Sequence, residues 1–503
     1  MIRSKNIILV NPKITSRRSA RFPLSLLALA GSIENDRTCR IIDGNIDDNY
    51  LTTVRQALSE GGIGAVGITV MGGPQVGSAI ETSRIVRETA PSVPIIWGGY
   101  FPTLYPDTTL NAPYVDYAIR GPAEESFQEL LDAIGKGERT FERIAGLTWK
   151  HNGQIVRNPD RRIVDRPSIA PLPYHLLGDP RIYLAKTFLG ERTAVHQAAL
   201  GCRFRCTFCG VAAMFRGAVE LPPAPRLERD LTWLRDRIGA DSIQYFDHNF
   251  FDREADMVPL LEVLAEFQLP WWCYARADAL INLSPSSWTL VRKSRLRMAY
   301  IGAESPNDAM LKSIRKGTNS DQTLEVADLC RHQGVIPELS FMVAPPTDPD
   351  GETERTFEFI RELKKVNPHS EIIVYIYTPL PGSSLPENSR SRAAVTPLTD
   401  VNGIPLSFPT TPEEWTEKKW VDYACHADAP WMSDQLRQRI RNFVTVLHCR
   451  FPTVQDSRAS IYSKITLKAL ASWRYRFRRY DRPWELALSK KLTRLADPRT
   501  TGI

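Results

Sequence analysis

Three cysteines, Cys202, Cys206 and Cys209, fall within eight positions of a 503-residue chain that has eight cysteines in all. Their spacing is C-x-x-x-C-x-x-C. Thiolates this close together are either prone to form a disulfide or are a ligand set for a soft metal. Iron–sulfur clusters are held by thiolates, normally four. A loop offering three leaves one iron of a 4Fe–4S cube free to bind a substrate or cofactor. The alternative is a structural zinc site with His196 as fourth ligand. Zinc sites favour paired C-x-x-C arms with a second arm farther along, and no second arm exists. Cys39, Cys273, Cys330, Cys425 and Cys449 are scattered singly and read as buried packing residues.

Other reactive side chains stand where apolar runs end. Asp247 follows the apolar start of SIQYFDHNFF, Arg276 that of WWCYARADAL and Glu304 that of RMAYIGAES, and Pro379 stands in EIIVYIYTPLPG. With TAVHQAAL before the cysteines and IPELSFMVAPP, these runs make six strand–helix units, a partial (β/α)6 barrel. Active groups on such barrels sit at strand C-terminal ends.

Up to about residue 150 a second alternation precedes the barrel. Ile7–Val10, Cys39–Asp43, Ala65–Val70, Val93–Trp97 and Val115–Ile119 read as strands, with amphipathic helices between them. The pattern predicts a doubly wound, flavodoxin-like α/β sandwich whose ligand lies at the strand C-termini. Gly72–Gly73, Gly98–Gly99 and Gly121 fall on those edges and would let backbone approach a bulky ligand. They could also serve only to make tight turns. No G-x-G-x-x-G follows the first strand, which disfavours NAD.

Composition sets the background. At 43% hydrophobic and 24% charged residues the chain is ordinary globular material. Ile7–Val10 is too short for a signal-peptide core, and Pro23–Ile33 is about half of a membrane span. A cytoplasmic location is expected, where thiols stay reduced. Net charge is +7, and Val401–Ile503 alone holds 18 Lys and Arg against 10 Asp and Glu.

The cysteine spacing, with Phe208 before the last cysteine, resembles the radical S-adenosylmethionine (SAM) signature. The three glycine loops, with RFPLSLLALAG after the first strand, resemble the cobalamin-binding domain that precedes one class of those enzymes, the class B methyltransferases. The resemblance implies a 4Fe–4S cluster on Cys202, Cys206 and Cys209, with SAM chelating the open iron and cleaved to a 5′-deoxyadenosyl radical. It places Glu304 against the SAM ribose or amino group, unless its carboxylate is a cap. It places Asp247 at a cofactor-facing strand end and Tyr377–Gly382, including Pro379, along adenine. Arg276 becomes either a contact for the cofactor carboxylate or a structural ion pair. The family's second acid is replaced by His248, whose role stays open. Cobalamin mutases carry D-x-H-x-x-G, but Asp43–Asp48 reads DGNIDD and no histidine precedes His151. Cobalamin held here would have no imidazole from this domain.

The expected layout is a cobalamin-type sandwich (1–150), a linker (151–190), the barrel (191–395) and a mainly helical basic domain (396–503). The expected activity is methyl transfer to an unactivated carbon. The alternatives are an oxidative cyclase or ring-rearranging enzyme of the same architecture, or a non-catalytic cobalamin and cluster sensor. The substrate class is a small molecule such as a secondary metabolite, lipid or tetrapyrrole. Flavodoxin or ferredoxin would supply electrons, and no nucleic-acid partner is expected. Residues 463–495 interleave aromatics with arginines and lysines, a pattern that suits an anionic membrane surface or a solvated helix pair capping the barrel.

Overall fold

The computed structural model describes residues 6–161, 171–380, 398–455 and 461–493, with side chains omitted at 461–464 and 489–493. Gly382 and the linker stretch 162–170 lie outside the described residues.

The first sheet holds β1 (Asn6–Asn11), β2 (Thr38–Asp43), β3 (Ile63–Thr69), β4 (Ile95–Gly98), β5 (Tyr117–Ile119), β6 (Leu147–His151) and β7 (Gln154–Arg157). Their order is β2-β1-β3-β4-β5-β6-β7. The first five are parallel, in flavodoxin-like order, and β6–β7 is an antiparallel hairpin added at the edge. Ile7–Val10 are all buried because helices cover both faces, as a parallel sheet requires. The β6–β7 hairpin carries the first sheet through Arg157, beyond the expected limit at 150.

The second sheet is wholly parallel. Its strands are β8 (Thr193–His196), β11 (Ser242–Tyr245), β12 (Trp271–Ala275), β13 (Leu296–Glu304), β14 (Ile336–Val343) and β15 (Glu371–Ile376), adjacent in chain order. Six consecutive units without closure make the expected partial barrel. The short pair β9 (Leu200–Gly201) and β10 (Val219–Glu220) flanks the cysteine loop.

Two contacts beyond the sheets fix the architecture. Tyr174 stacks on Trp233 of the barrel (4.2 Å, 13°) while its edge meets Phe22 of the sandwich, so one side chain joins the two bodies. At the opposite, N-terminal end of the barrel strands, the Gln455 side-chain amide donates to Glu338 (2.6 Å) and Glu371 (3.1 Å). Trp272 Nε1–H also donates to Glu338 (3.0 Å). The C-terminal region is mainly helical, with helices Lys418–Ala424, Asp434–Arg450, Ile461–Arg476 and Trp484–Thr493.

Candidate cofactor site

The cysteine loop leaves β9 at Gly201 and ends at the helix Gly210–Phe215. Two anchors hold it. Thr207 N–H donates to Ile314 O (3.0 Å), and Cys209 N–H donates to Cys206 O (3.2 Å). Asp247, at the end of β11, accepts from the N–H groups of Ala198 (2.7 Å) and Ala199 (2.9 Å). Its carboxylate therefore ties the strand feeding the loop. Burial pushes that carboxyl up to about 7 against the pull of those bonds.

All three cysteines are free thiols. Burial pushes the Cys209 thiol up to about 11, and the anionic forms of Cys206 and Cys202 push it in the same direction. Three thiolates held near one another without a cation would repel. A cationic iron–sulfur cluster supplies the missing charge, so the donor set fits a cluster. Among the described residues no three His, Cys, Asp or Glu side chains gather tightly enough for a single metal ion. Thiolates on three corners of a cube stand farther apart than the ligands of one ion. His196 is buried with its Nε2 towards Asp230 (3.8 Å) and its ring edge-on to Tyr245, contacts that bear on the zinc alternative.

Glu304 ends β13 after a break in register between Gly302 and Glu304. Its φ of 65° lies in the left-handed region, a strained state for a non-glycine residue that costs on the order of 1–3 kcal/mol. The turn folds the carboxylate back to meet Lys316 Nζ at 2.7 Å. A Cβ at Gly302 would lie 2.1 Å from Glu304 Oε1 and 2.5 Å from Lys316 Nζ. Glycine in this G-x-E-S stretch is thus the space that the ion pair occupies. Lys316, in IRKGT, was not singled out from the sequence. Its pairing across 12 positions has no periodic signal.

Arg276 is buried and committed to its own surroundings. Its Nε and Nη2 donate to Asp278 (2.9 and 3.0 Å), Nη2 also donates to Lys316 O (2.7 Å), and the guanidinium lies 3.5 Å from the Phe204 ring centroid. Of the two sequence readings, these contacts favour the ion pair. Arg276 holds Lys316 on one side and the cysteine loop on the other. Phe208 and Tyr377 come together on the apolar cluster Leu311, Ile314 and Met342. Pro379 O accepts from Tyr423 Oη (2.7 Å).

The glycine loops of the sandwich converge on the same region. Gly99 has φ 100°, and a Cβ there would lie 2.9 Å from Val70 O, so β3 and β4 end in close contact. At Gly98 a Cβ would meet nothing within 4 Å, leaving an open cradle beside the strand end. Such space fits a flat, bulky ligand. The Gly121 Cα faces Met214, five residues after Cys209. Tyr100, next to Gly99, lays its ring against Gly210, the residue after Cys209. Its Oη lies 3.1 Å from His248 Nε2, while His248 Nδ1 accepts from Gly201 N–H (3.2 Å). Burial pulls His248 down to about 4, so the ring is neutral. With Nδ1 accepting, the proton sits on Nε2 and is donated to Tyr100.

A segment from the C-terminal region closes this junction. Glu413 accepts from Arg84 and Tyr114 on the sandwich, Trp415 packs on Tyr105, and Ala424 and Cys425 sit against Gly72 and Gly73. Farther along, His426 O accepts from Ile376 N–H (2.9 Å) and Trp431 Nε1–H donates to Ala344 O (2.8 Å) on the barrel. Cys425 is half-buried, whereas the sequence suggested a packing residue. It ends a helix lying on the glycine loop, and its Sγ would be 2.8 Å from a Cβ at Gly73.

Residues 14–131 match the B12 binding domain, and residues 198–360 match the Radical SAM superfamily. The chain is therefore a cobalamin-dependent radical SAM enzyme, whose cofactors are cobalamin, a 4Fe–4S cluster and SAM.

Among named relatives, it is 25% identical over 370 residues to an uncharacterized methyltransferase of Pyrococcus horikoshii, covering 72% of this chain and 77% of the relative. It is 24% identical over 286 residues to the anaerobic magnesium-protoporphyrin IX monomethyl ester cyclase of Synechocystis sp., covering 56% of this chain and 54% of that one, so the match spans about half of the cyclase. The fold is that of the radical SAM methyltransferase TsrM from Kitasatospora setae, solved with cobalamin and a [4Fe-4S] cluster bound. The TM-score is 0.62 at 18% identity, covering 82% of this chain and 84% of that one.

Proposed function

We propose that this enzyme transfers a methyl group to an unactivated carbon of a small molecule. The observation that carries the reading is the contact between the two cofactor edges. Tyr100, which opens the short helix after β4, packs on the residue following Cys209 and bonds to His248 beside the cysteine loop. A methyl donor and a radical source must reach the same substrate carbon, and this junction brings their loops together. When bound, the cofactors supply the radical and the methyl group.

The chain's own residues then have definite tasks. Cys202, Cys206 and Cys209 would hold the cluster. Glu304, braced by Lys316, would accept from polar groups of SAM, while Phe208 and Tyr377 would pack against its flat part. Gly98, with Gly99 beside it, would border the corrin, whereas the space at Gly72, Gly73 and Gly121 is taken by Ala424, Cys425 and Met214. Asp247 and Arg276 fix the loops that present these groups. Residues 413–431 shield the junction from water. The electron for the cluster would come from a small redox protein such as flavodoxin or ferredoxin.

The cyclase relative favours a second reading, oxidation or ring closure on the same architecture. Reconstituted protein, a reductant, methyl-deuterated SAM and an extract of a deletion strain separate the two. Deuterium in a new product supports methyl transfer. 5′-Deoxyadenosine with an unlabelled oxidised product supports the cyclase. Absence of SAM cleavage would fit neither, and would indicate a sensor.

A further inference from the structure

The helices Ile461–Arg476 and Trp484–Thr493 form a hairpin with two unlike faces. Leu467, Ala471 and Arg474 recur at i, i+4 and i+7 and are buried. Arg474 is fully engaged, donating to Glu485 and to the carbonyls of Arg479 (3.1 Å) and Asp481 (2.8 Å). Tyr480 packs edge-on to Phe443, and Arg361 donates to Tyr480 Oη (2.8 Å). This side is the interface with the body of the enzyme.

The adjoining face is different. Leu470, Trp473 and Phe477, spaced i, i+3 and i+7, point outward, with Ile465 beside them and Trp484 and Leu488 from the second helix. Trp473 is 49% exposed, Phe477 65% and Trp484 71%. Of ten exposed large apolar side chains among the described residues, these six fall within 24 consecutive positions. Burying all of them against the core would have been open to a hairpin that merely caps the barrel.

Charge around the hairpin is mainly positive. Lys468, Arg476, Arg479 and Arg482 are exposed and make no ion pair with another described residue. Arg478 pairs with Glu358 (2.6 Å), and Asp481 is the exposed acid in this stretch. Exposed aromatics ringed by unpaired cations match the interfacial layer of an anionic bilayer. Aromatic rings sit at headgroup depth there, and Lys and Arg reach the phosphates. No helix among the described residues is long and apolar enough to cross a membrane, so the hairpin would lie on the surface.

We infer that residues 465–488 are a docking surface for an anionic lipid bilayer. The inference is independent of the reaction proposed above. The test is co-sedimentation of the full-length protein with vesicles of phosphatidylcholine, alone or mixed with phosphatidylglycerol. Binding to the mixed vesicles should exceed binding to phosphatidylcholine at least tenfold and fall steeply with added salt. The triple variant Trp473→Ala/Phe477→Ala/Trp484→Ala should lose at least tenfold of that binding. Arg476→Glu/Arg479→Glu should lose as much. Both variants should keep the wild-type melting temperature, because the altered side chains are outside the core. Equal binding to both vesicle types, no binding, or undiminished binding by the two variants would overturn the inference. A concentration-dependent dimer that the triple variant abolishes, without vesicle binding, would also overturn it and give the face to a second copy of the chain.

Discussion

The Glu304 carboxylate and the Lys316 ammonium stand 2.7 Å apart at the end of β13, both almost wholly buried. Glu304 reaches its partner only by taking a left-handed backbone conformation. A buried ion pair on a strained residue at a strand C-terminus is more than a fold needs, because apolar residues of similar volume stabilise about as well. Lys316 N–H also donates to Leu311 O (2.9 Å), and Leu311 belongs to the apolar cluster on which Phe208 and Tyr377 pack, so the pair is tied to that cluster.

Glu304→Gln should therefore keep the cluster and weaken SAM binding. Loss of a charge-assisted hydrogen bond corresponds to about 1.5–3 kcal/mol, or roughly tenfold to a hundredfold in affinity. Equilibrium dialysis with SAM on the reconstituted variant measures this. Unchanged affinity would return Glu304 to a capping role.

Tyr100→Phe removes one hydroxyl from the junction and leaves the ring against Gly210. His248 Nε2–H is then left without its acceptor. SAM cleavage should persist, while methylated product per 5′-deoxyadenosine falls several-fold because the two loops are no longer held together. A proportional fall in both products would mean that Tyr100 serves stability alone.

The barrel's other end should respond to pH. Burial, and then the neighbouring Glu371 carboxylate, raise Glu338 to about 7, well above the ordinary glutamate value. A raised acid keeps its proton in the folded state. Its contribution is thus complete below the unfolded value near 4.3 and is lost as pH rises through 7. The loss is on the order of 3 kcal/mol. Lys364, pulled down to about 7 by burial, acts above that window with the opposite slope. Melting temperature should fall between pH 5 and 7 in the wild type, and Glu338→Gln should flatten that fall. An equally steep fall in the variant would place the responsible group elsewhere.

No histidine precedes His151, and His151 lies on β6 with its ring against Trp149, in the antiparallel extension of the sheet. The Co(II) spectrum of cobalamin bound to the full chain should show no nitrogen hyperfine splitting from protein imidazole. A clear triplet would show that a histidine reaches the cobalt.

Much of this site was legible before the fold was known. The cysteine spacing is local, and the strand–helix alternation has a period, so the loop, the two sheets and the strand-end residues Asp247, Arg276 and Glu304 could be read directly. Their contacts could not. Glu304 meets Lys316 through a backbone turn, Tyr100 meets His248 across 148 positions, and Glu413 meets Tyr114 across 299. The first pairing depends on a left-handed turn and the other two on how separate parts of the chain dock, and neither periodicity nor spacing records either. Cys425 was misread for the same reason, since a lone cysteine in a helix gives no sign of the loop it will face.

Cobalamin and cluster would share one junction, and electron paramagnetic resonance tests this most directly. The full chain would be loaded with both cofactors and poised so that Co(II) and the reduced cluster are present together. Two paramagnets on the Gly98–Tyr100 and Cys202–Cys209 loops should broaden and speed the relaxation of each other's signals, relative to samples carrying either alone. The effect should disappear in Cys206→Ala, which cannot hold the cluster. Spectra that are the plain sum of the separate signals would contradict the shared site.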